Sequence, residues 1–178
     1  NWNEGAIVNI LMLDDDEHVL SDYRKVLRQR GHFVNSYVDL TCALNELKLS
    51  FTLPTEKSYS VVVIDLMLSG QAIPKELQPF YAHVHSGNNN EGQALGQWLW
   101  ENSGRRHQML RPLHFYFSNV TGNFQPALEK ENQEFVDLER ATKHCVISKT
   151  AISPYDFEET INKVIEAWAV LPAIGAKA

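Results

Sequence analysis

Ile7-Val8-Asn9-Ile10-Leu11-Met12-Leu13-Asp14-Asp15-Asp16 is a short, nearly continuous apolar run that stops on three consecutive aspartates. An apolar run of this length without polar alternation reads as a strand buried on both faces. A second run, Val61-Val62-Val63-Ile64, stops in the same way, on Asp65. Like charges gathered where buried strands end raise one another's pKa and cost stability. A chain that does this twice is expected to collect its acids around a hard cation and use them in chemistry.

Working outward, strand-like runs alternate with amphipathic helices. Val19, Leu20, Tyr23, Val26 and Leu27 recur at helical spacing, and Gly31 supplies a stop. Asp16 reads as the N-cap of that helix. His32 to Val38 is a weaker strand, and Asp39 caps a helix carrying Leu40, Ala43, Leu44 and Leu47. A turn-rich stretch, Phe51 to Ser58, leads into the strand Ser60 to Asp65. After the irregular segment Gly70 to Asn90 comes a helix, Glu91 to Asn102, with Ala94, Leu95, Trp98 and Leu99 on one face. Leu113 to Phe117 is a fourth strand ending in Ser118-Asn119, and the charge-rich Pro126 to Thr142 suits an exposed helix. Cys145 to Ile147 is a short fifth strand ending at Ser148-Lys149. Ser153-Pro154, with Asp156 placed to reach back, caps a last helix with Phe157, Ile161, Val164, Ile165 and Trp168 as its buried stripe.

Five strand–helix units in strict alternation predict an α/β fold, a doubly wound parallel sheet with helices on both faces. Ligands of such sheets bind outside the carboxyl ends of the strands. Asp14 to Asp16, Asp65, Ser118 and Lys149 would share that edge.

Composition sets the bounds. The chain has 178 residues, 44% of them apolar, which suits one domain spanning 1–178. Its net charge of −6 argues against direct nucleic-acid binding. The basic cluster Arg105-Arg106-His107 with Arg111 reads as incidental, as does the pair His83 and His85. No apolar stretch approaches the roughly 20 residues that cross a bilayer, and no signal peptide is visible. Cys42 and Cys145 sit in apolar-patterned segments and are expected to be reduced core thiols of a cytoplasmic protein. A start at Asn1, without Met, is consistent with a domain cut from a longer protein.

Adjacent carboxylates form an oxygen-rich site suited to Mg²⁺. A lysine ammonium and a serine hydroxyl complete a set of donors for the oxygens of a transferring phosphoryl group. The remaining carboxylate can then act as nucleophile and form an aspartyl phosphate.

With these residues in place, the sequence resembles the receiver domain of two-component response regulators, over a core of residues 6–169. Leu13-Asp14-Asp15-Asp16 resembles the family's acidic pair after the first strand, and Val63-Ile64-Asp65-Leu66-Met67 its phosphoacceptor strand. Asn90-Glu91-Gly92-Gln93-Ala94-Leu95 is similar to the opening of its third helix, Ser118 to its Ser/Thr position and Ser148-Lys149 to its lysine. The resemblance implies a flavodoxin-like sheet of strand order 2-1-3-4-5. It implies that Asp65 accepts phosphate from a histidine kinase or histidine phosphotransfer protein, with Mg²⁺ (or Mn²⁺) as cofactor. Asp15 and Asp65 would ligate the metal directly, Asp14 through water and Met67 through its backbone carbonyl. Lys149 would pair with the phosphoryl group and Ser118 hydrogen-bond it. The signal would pass to an output protein or attached effector domain. Homodimer contacts would use the family's fourth and fifth helices, here Pro126 to Thr142 and Ser153 to Trp168. On this reading the chain is a phosphoacceptor that assists its own phosphorylation and dephosphorylation, not a turnover enzyme. The alternatives are a degenerate receiver that binds partners without phosphorylation and, third, a metal-dependent phosphohydrolase. The hydrolase commonly needs an acid where Met67 stands.

Three features depart from the family pattern. Thr150 replaces the proline that usually follows the lysine. Because a cis bond before a non-proline residue costs about 3 kcal/mol, a trans peptide and a rearranged loop are expected. Val146 stands where an aromatic ring usually reorients. An insertion, about residues 71–89, lengthens the loop after the third strand, and loops longer than roughly 12–15 residues are usually functional or disordered. Pro74-Lys75-Glu76-Leu77 could open a short helix there, with Phe80, Tyr81 and Val84 packing it onto the body. The insertion is expected to border the phosphorylation site and tune partner choice or phosphoryl lifetime.

Overall fold

The computed structural model describes residues 7–54, 57–84, 91–103, 113–119 and 146–170. Its strands are β1 (Asn9–Leu13), β2 (Phe33–Tyr37), β3 (Val61–Ile64), β4 (Leu113–Ser118) and β5 (Val146–Ser148). Its helices are α1 (Glu17–Gln29), α2 (Leu40–Ser50), α3 (Gln78–Val84), α4 (Glu91–Ser103) and α5 (Phe157–Val170), with 3-10 turns at Lys75–Leu77 and Lys149–Ala151. All strand pairs are parallel, in the order β2-β1-β3-β4-β5. The expected flavodoxin-like order 2-1-3-4-5 is therefore present. The segments 104–112 and 120–145, which hold the basic cluster, the exposed helix expected over Pro126 to Thr142 and Cys145, lie outside the described residues, as does His85.

The central strands β1 and β3 are buried on both faces, which is why they read as nearly unbroken apolar runs. Leu11, Leu13, Val62, Ile64 and Tyr116 pack in the core that also holds Leu40, Leu44 and Leu47 of α2 and Leu95 and Leu99 of α4. Ile10, Met12, Val61, Val63, Phe115 and Phe117 share the other core with Leu20, Tyr23 and Leu27 of α1 and Phe157 and Ile161 of α5. Tyr23 stands edge-on to Phe117 and Phe157, with ring centroids 5.0 and 4.8 Å away. Offset and edge-to-face contacts of this kind are the favoured aromatic geometry.

The described part of the insertion packs onto the body, as its sequence suggested. Pro74 precedes the 3-10 turn, Leu77 is fully buried, and Ile73, Phe80 and Tyr81 pack against the α2–α4 side of the core. Lys48 on α2 donates to Glu76 at 2.8 Å. Two expectations need correction. Cys42 is exposed, because the buried stripe of α2 runs through Leu40, Ala43, Leu44 and Leu47 and leaves position 42 on the solvent side. The last helix becomes regular at Phe157, not directly after Ser153-Pro154. Asp156 does reach back as expected, accepting from Ser153 Oγ at 2.6 Å while its N–H donates to that oxygen at 3.3 Å, but the pair closes a turn before the helix. No peptide among the described residues is cis, so the Lys149–Thr150 bond is trans as expected.

Candidate functional site

Register brings the acids together. Ile10 pairs with Val61 and Leu13 with Ile64, so β1 and β3 end level. Asp65 N–H donates to Leu13 O at 2.8 Å, which continues the ladder one residue past the strands. Asp14 and Asp65 therefore leave the sheet side by side, and both are buried. Asp16 points away: its carboxylate accepts from His18 N at 2.9 Å and Val19 N at 3.4 Å, the N-cap expected from sequence.

Lys149 follows β5 and reaches back across the edge. Its Nζ lies 2.5 Å from Asp14 Oδ2 and 2.6 Å from Asp65 Oδ2, with 8% of the side chain exposed. Main-chain donors hold the other oxygens: Asp16 N–H donates to Asp14 Oδ1 at 3.0 Å and Met67 N–H to Asp65 Oδ1 at 3.3 Å. Burial pushes Asp14 up to about 6; its hydrogen bonds to Lys149 and Asp16 N–H and the ammonium's charge pull the other way. Burial alone would lower Lys149, but its bonds to Asp14 and Asp65 prevail and raise it above the ordinary lysine value.

Oxygens of Asp14, Asp15 and Asp65 lie within 4.8 Å of one another. Ligands around Mg²⁺ at about 2.1 Å stand some 3–4 Å apart, so a small contraction would close this set on the ion. With the three acids ionised and Lys149 charged, the cluster carries a net −2, which a divalent cation balances. The residues present fit the metal.

Ser118 is buried at the end of β4, beside Ser148 in register. Tyr116 pairs with Ile64, so continuing that register sets Ser118 one residue beyond the level of Asp65, on the neighbouring strand. Met67, two residues past Asp65, is half-buried. The side chain of Val146 is not among those described.

Several contributors were given no role at the site from the sequence. The Glu91 carboxylate is buried and accepts from Leu68 N–H at 3.2 Å. Gly92 sits directly on the Asp65 backbone. A Cβ there would lie 1.7 Å from the Asp65 carbonyl oxygen, and Gly92 N–H donates to Leu66 O at 3.0 Å. The Ser69 hydroxyl donates to Asp15 Oδ2. The Ser-Gly dipeptide, a turn signal, was the one clue to the last contact.

No protein-family model matches the chain, and no curated protein matches its sequence. Solved structures do resemble it. A CheY-like response regulator receiver domain protein from Methanospirillum hungatei JF-1 is 14% identical, with a TM-score of 0.50 over 92% of this chain and 98% of that one. A signal receiver domain from Vibrio parahaemolyticus is 10% identical, with a TM-score of 0.53 over 92% and 95%. NtrX from Brucella abortus is 14% identical, with a TM-score of 0.51 over 93% of this chain and 28% of that one. The chain has the fold of response-regulator receiver domains.

Proposed function

We propose that this chain is a phosphoacceptor signalling domain in which Asp65 receives a phosphoryl group from a histidine kinase or histidine phosphotransfer protein. The observation that carries the reading is the convergence of Asp14, Asp15, Asp65 and Lys149 on one point at the carboxyl edge of a receiver-fold sheet. Asp15 and Asp65, with Asp14 through water and the Met67 carbonyl, would hold Mg²⁺ (or Mn²⁺), which supplies charge neutralisation at the phosphoryl oxygens.

The chain's own groups do the rest. An Asp65 oxygen bonds to phosphorus as the P–N bond of the donor phosphohistidine breaks, the imidazole nitrogen keeping the electron pair. Lys149, already bonded to Asp65, then pairs with a phosphoryl oxygen in place of the esterified carboxylate oxygen. Ser118 hydrogen-bonds a second oxygen and carries the change into β4. No helix of the described residues is long and apolar enough to cross a membrane. A cytoplasmic protein that acts through a partner or an attached output domain fits this reading. The insertion after Gly70 borders the acceptor loop and would tune partner choice or phosphoryl lifetime.

Incubation with Mg²⁺ and acetyl phosphate tests the assignment. We expect one base-labile, acid-stable phosphoryl adduct, lost in Asp65→Asn and on chelation of the metal. An adduct that persists in Asp65→Asn would refute the acceptor. No adduct at all would favour a phosphorylation-independent interaction module, and rapid turnover of phosphate monoesters would favour a hydrolase.

A further inference from the structure

Each carboxylate at the edge is held by donors, but Asp15 differs from its neighbours. Asp14 and Asp65 share Lys149 and each accept a main-chain N–H. Among the described residues, the donor to the half-buried Asp15 carboxylate is a side chain from the loop after β3, the Ser69 hydroxyl.

The backbone that presents this hydroxyl is unusual. Ser69 has φ +51 and Gly70 φ +69, and Gln71 N–H donates to Leu68 O at 3.2 Å. Positive φ at both central residues places Leu68–Gln71 in the type I′ class, whose first central position favours Asn, Asp or Gly. Ser69 is the only non-glycine residue with positive φ among those described. An outlier of this kind persists only where its surroundings impose it, and such outliers gather at functional sites.

The surroundings do impose it. On one side Gln71 grips the start of α2: its Oε1 accepts from Leu40 N–H at 2.7 Å, and its Nε2 donates to Val38 O at 2.6 Å. On the other, Glu91 accepts from Leu68 N–H. The turn is thus fastened to two helices, and the serine hydroxyl stands on a rigid mount. The Ser69 hydroxyl is tied to Asp15 Oδ2, and a carboxylate oxygen of Asp15 lies within 4.8 Å of oxygens of Asp14 and Asp65.

We propose that Ser69 is the positioning residue for Asp15, holding its carboxylate in the pose that accepts the divalent cation. This rests on the reading of the edge as a Mg²⁺-dependent phosphoacceptor site. Groups that orient a metal-ligating carboxylate typically change metal affinity 10–100-fold when removed.

The test is isothermal titration of the full chain with Mg²⁺ alone, alongside thermal unfolding in EDTA. Ser69→Gly relieves the backbone and removes the hydroxyl. We expect its Mg²⁺ dissociation constant to rise about 10–100-fold, with an EDTA melting temperature equal to or above wild type. Ser69→Asn tolerates positive φ and restores a donor, so it should recover most of the affinity. Wild-type affinity in Ser69→Gly, while Asp15→Asn loses the ion, would overturn the role of Ser69 and leave the phosphoacceptor reading standing. A wild-type chain that binds no Mg²⁺ would overturn both.

Discussion

Two ionic clusters fasten this sheet at opposite ends, and they are built differently. At the carboxyl ends of β1 and β3, Lys149 stands among Asp14, Asp15 and Asp65, one cation among three acids of the described residues. At the amino ends, His32 just before β2 accepts from Val8 N–H through Nδ1 at 3.3 Å. Its Nε2 contacts Glu158 of α5 at 3.0 Å, and Glu158 in turn pairs with Arg30 at 3.4 Å. The amino-end cluster is charge-balanced and satisfied by the chain itself. The carboxyl-end cluster keeps surplus negative charge in a buried place, a cost that folding alone gives no reason to bear. That imbalance separates a site from a staple.

The strongest way to break the comparison is to remove Lys149, the cation at the charged end. Lys149→Met leaves Asp14 and Asp65 buried side by side without a counter-charge. Loss of one partner of a buried pair costs about 3–5 kcal/mol. We expect a loss of about 3 kcal/mol in EDTA, measured by urea unfolding. Because the vacant charge is what a divalent ion supplies, saturating Mg²⁺ should return most of it, since a ligand at 100 times its Kd adds about 2.7 kcal/mol. No recovery with Mg²⁺ would mean that the acids and lysine are only a buried ion-pair network.

Acidity gives the next largest effect. Burial raises Asp14 from 3.8 to about 6, so the native state holds a proton that the unfolded chain has released between those values. Stability from this group is therefore greatest below about pH 4 and falls as pH rises to about 6. The shift corresponds to about 3 kcal/mol at most. In EDTA, Asp14→Asn should gain on wild type by up to that amount between pH 4 and pH 7. With Mg²⁺ at pH 7 the ranking should reverse, because the variant loses part of the cation's shell. A stability difference that stays flat across this range would show that Asp14 is not held in a desolvated state.

The sequence exposed the acids because each ends an apolar run, and a period-free run fixes where a buried strand stops. Lys149 was legible for the same reason, after Cys145-Val146-Ile147. Ser69, Gln71 and Glu91 were not. Their work is done on Asp15, on residues 38–40 and on Leu68 N–H, and only Glu91 has a carboxylate that composition could have flagged. The steric demand at Gly92 was equally hidden, since it comes from a carbonyl on another element. Cys42 misled because apolar neighbours in sequence are not neighbours on a helix face. The start of α5 misled because Ser153 bonds Asp156 in a closed turn before the helix begins.

The smallest effect belongs to the balanced end, and it sharpens the contrast by being small. Glu158→Gln keeps an oxygen for His32 and removes only the charge that faces Arg30, a side chain 58% exposed. Exposed pairs contribute about 0–1 kcal/mol, so a loss of about 0.5 kcal/mol is expected. Because Nδ1 of His32 accepts the Val8 N–H, Nε2 carries the proton that it donates, and a neutral amide oxygen accepts that proton nearly as well. The variant should respond to Mg²⁺ as wild type does in both unfolding and calorimetry. A loss above about 2 kcal/mol, or a weakened Mg²⁺ response, would show that the two ends of the sheet are energetically coupled. The charge surplus at the carboxyl edge would then no longer be a local property of the site.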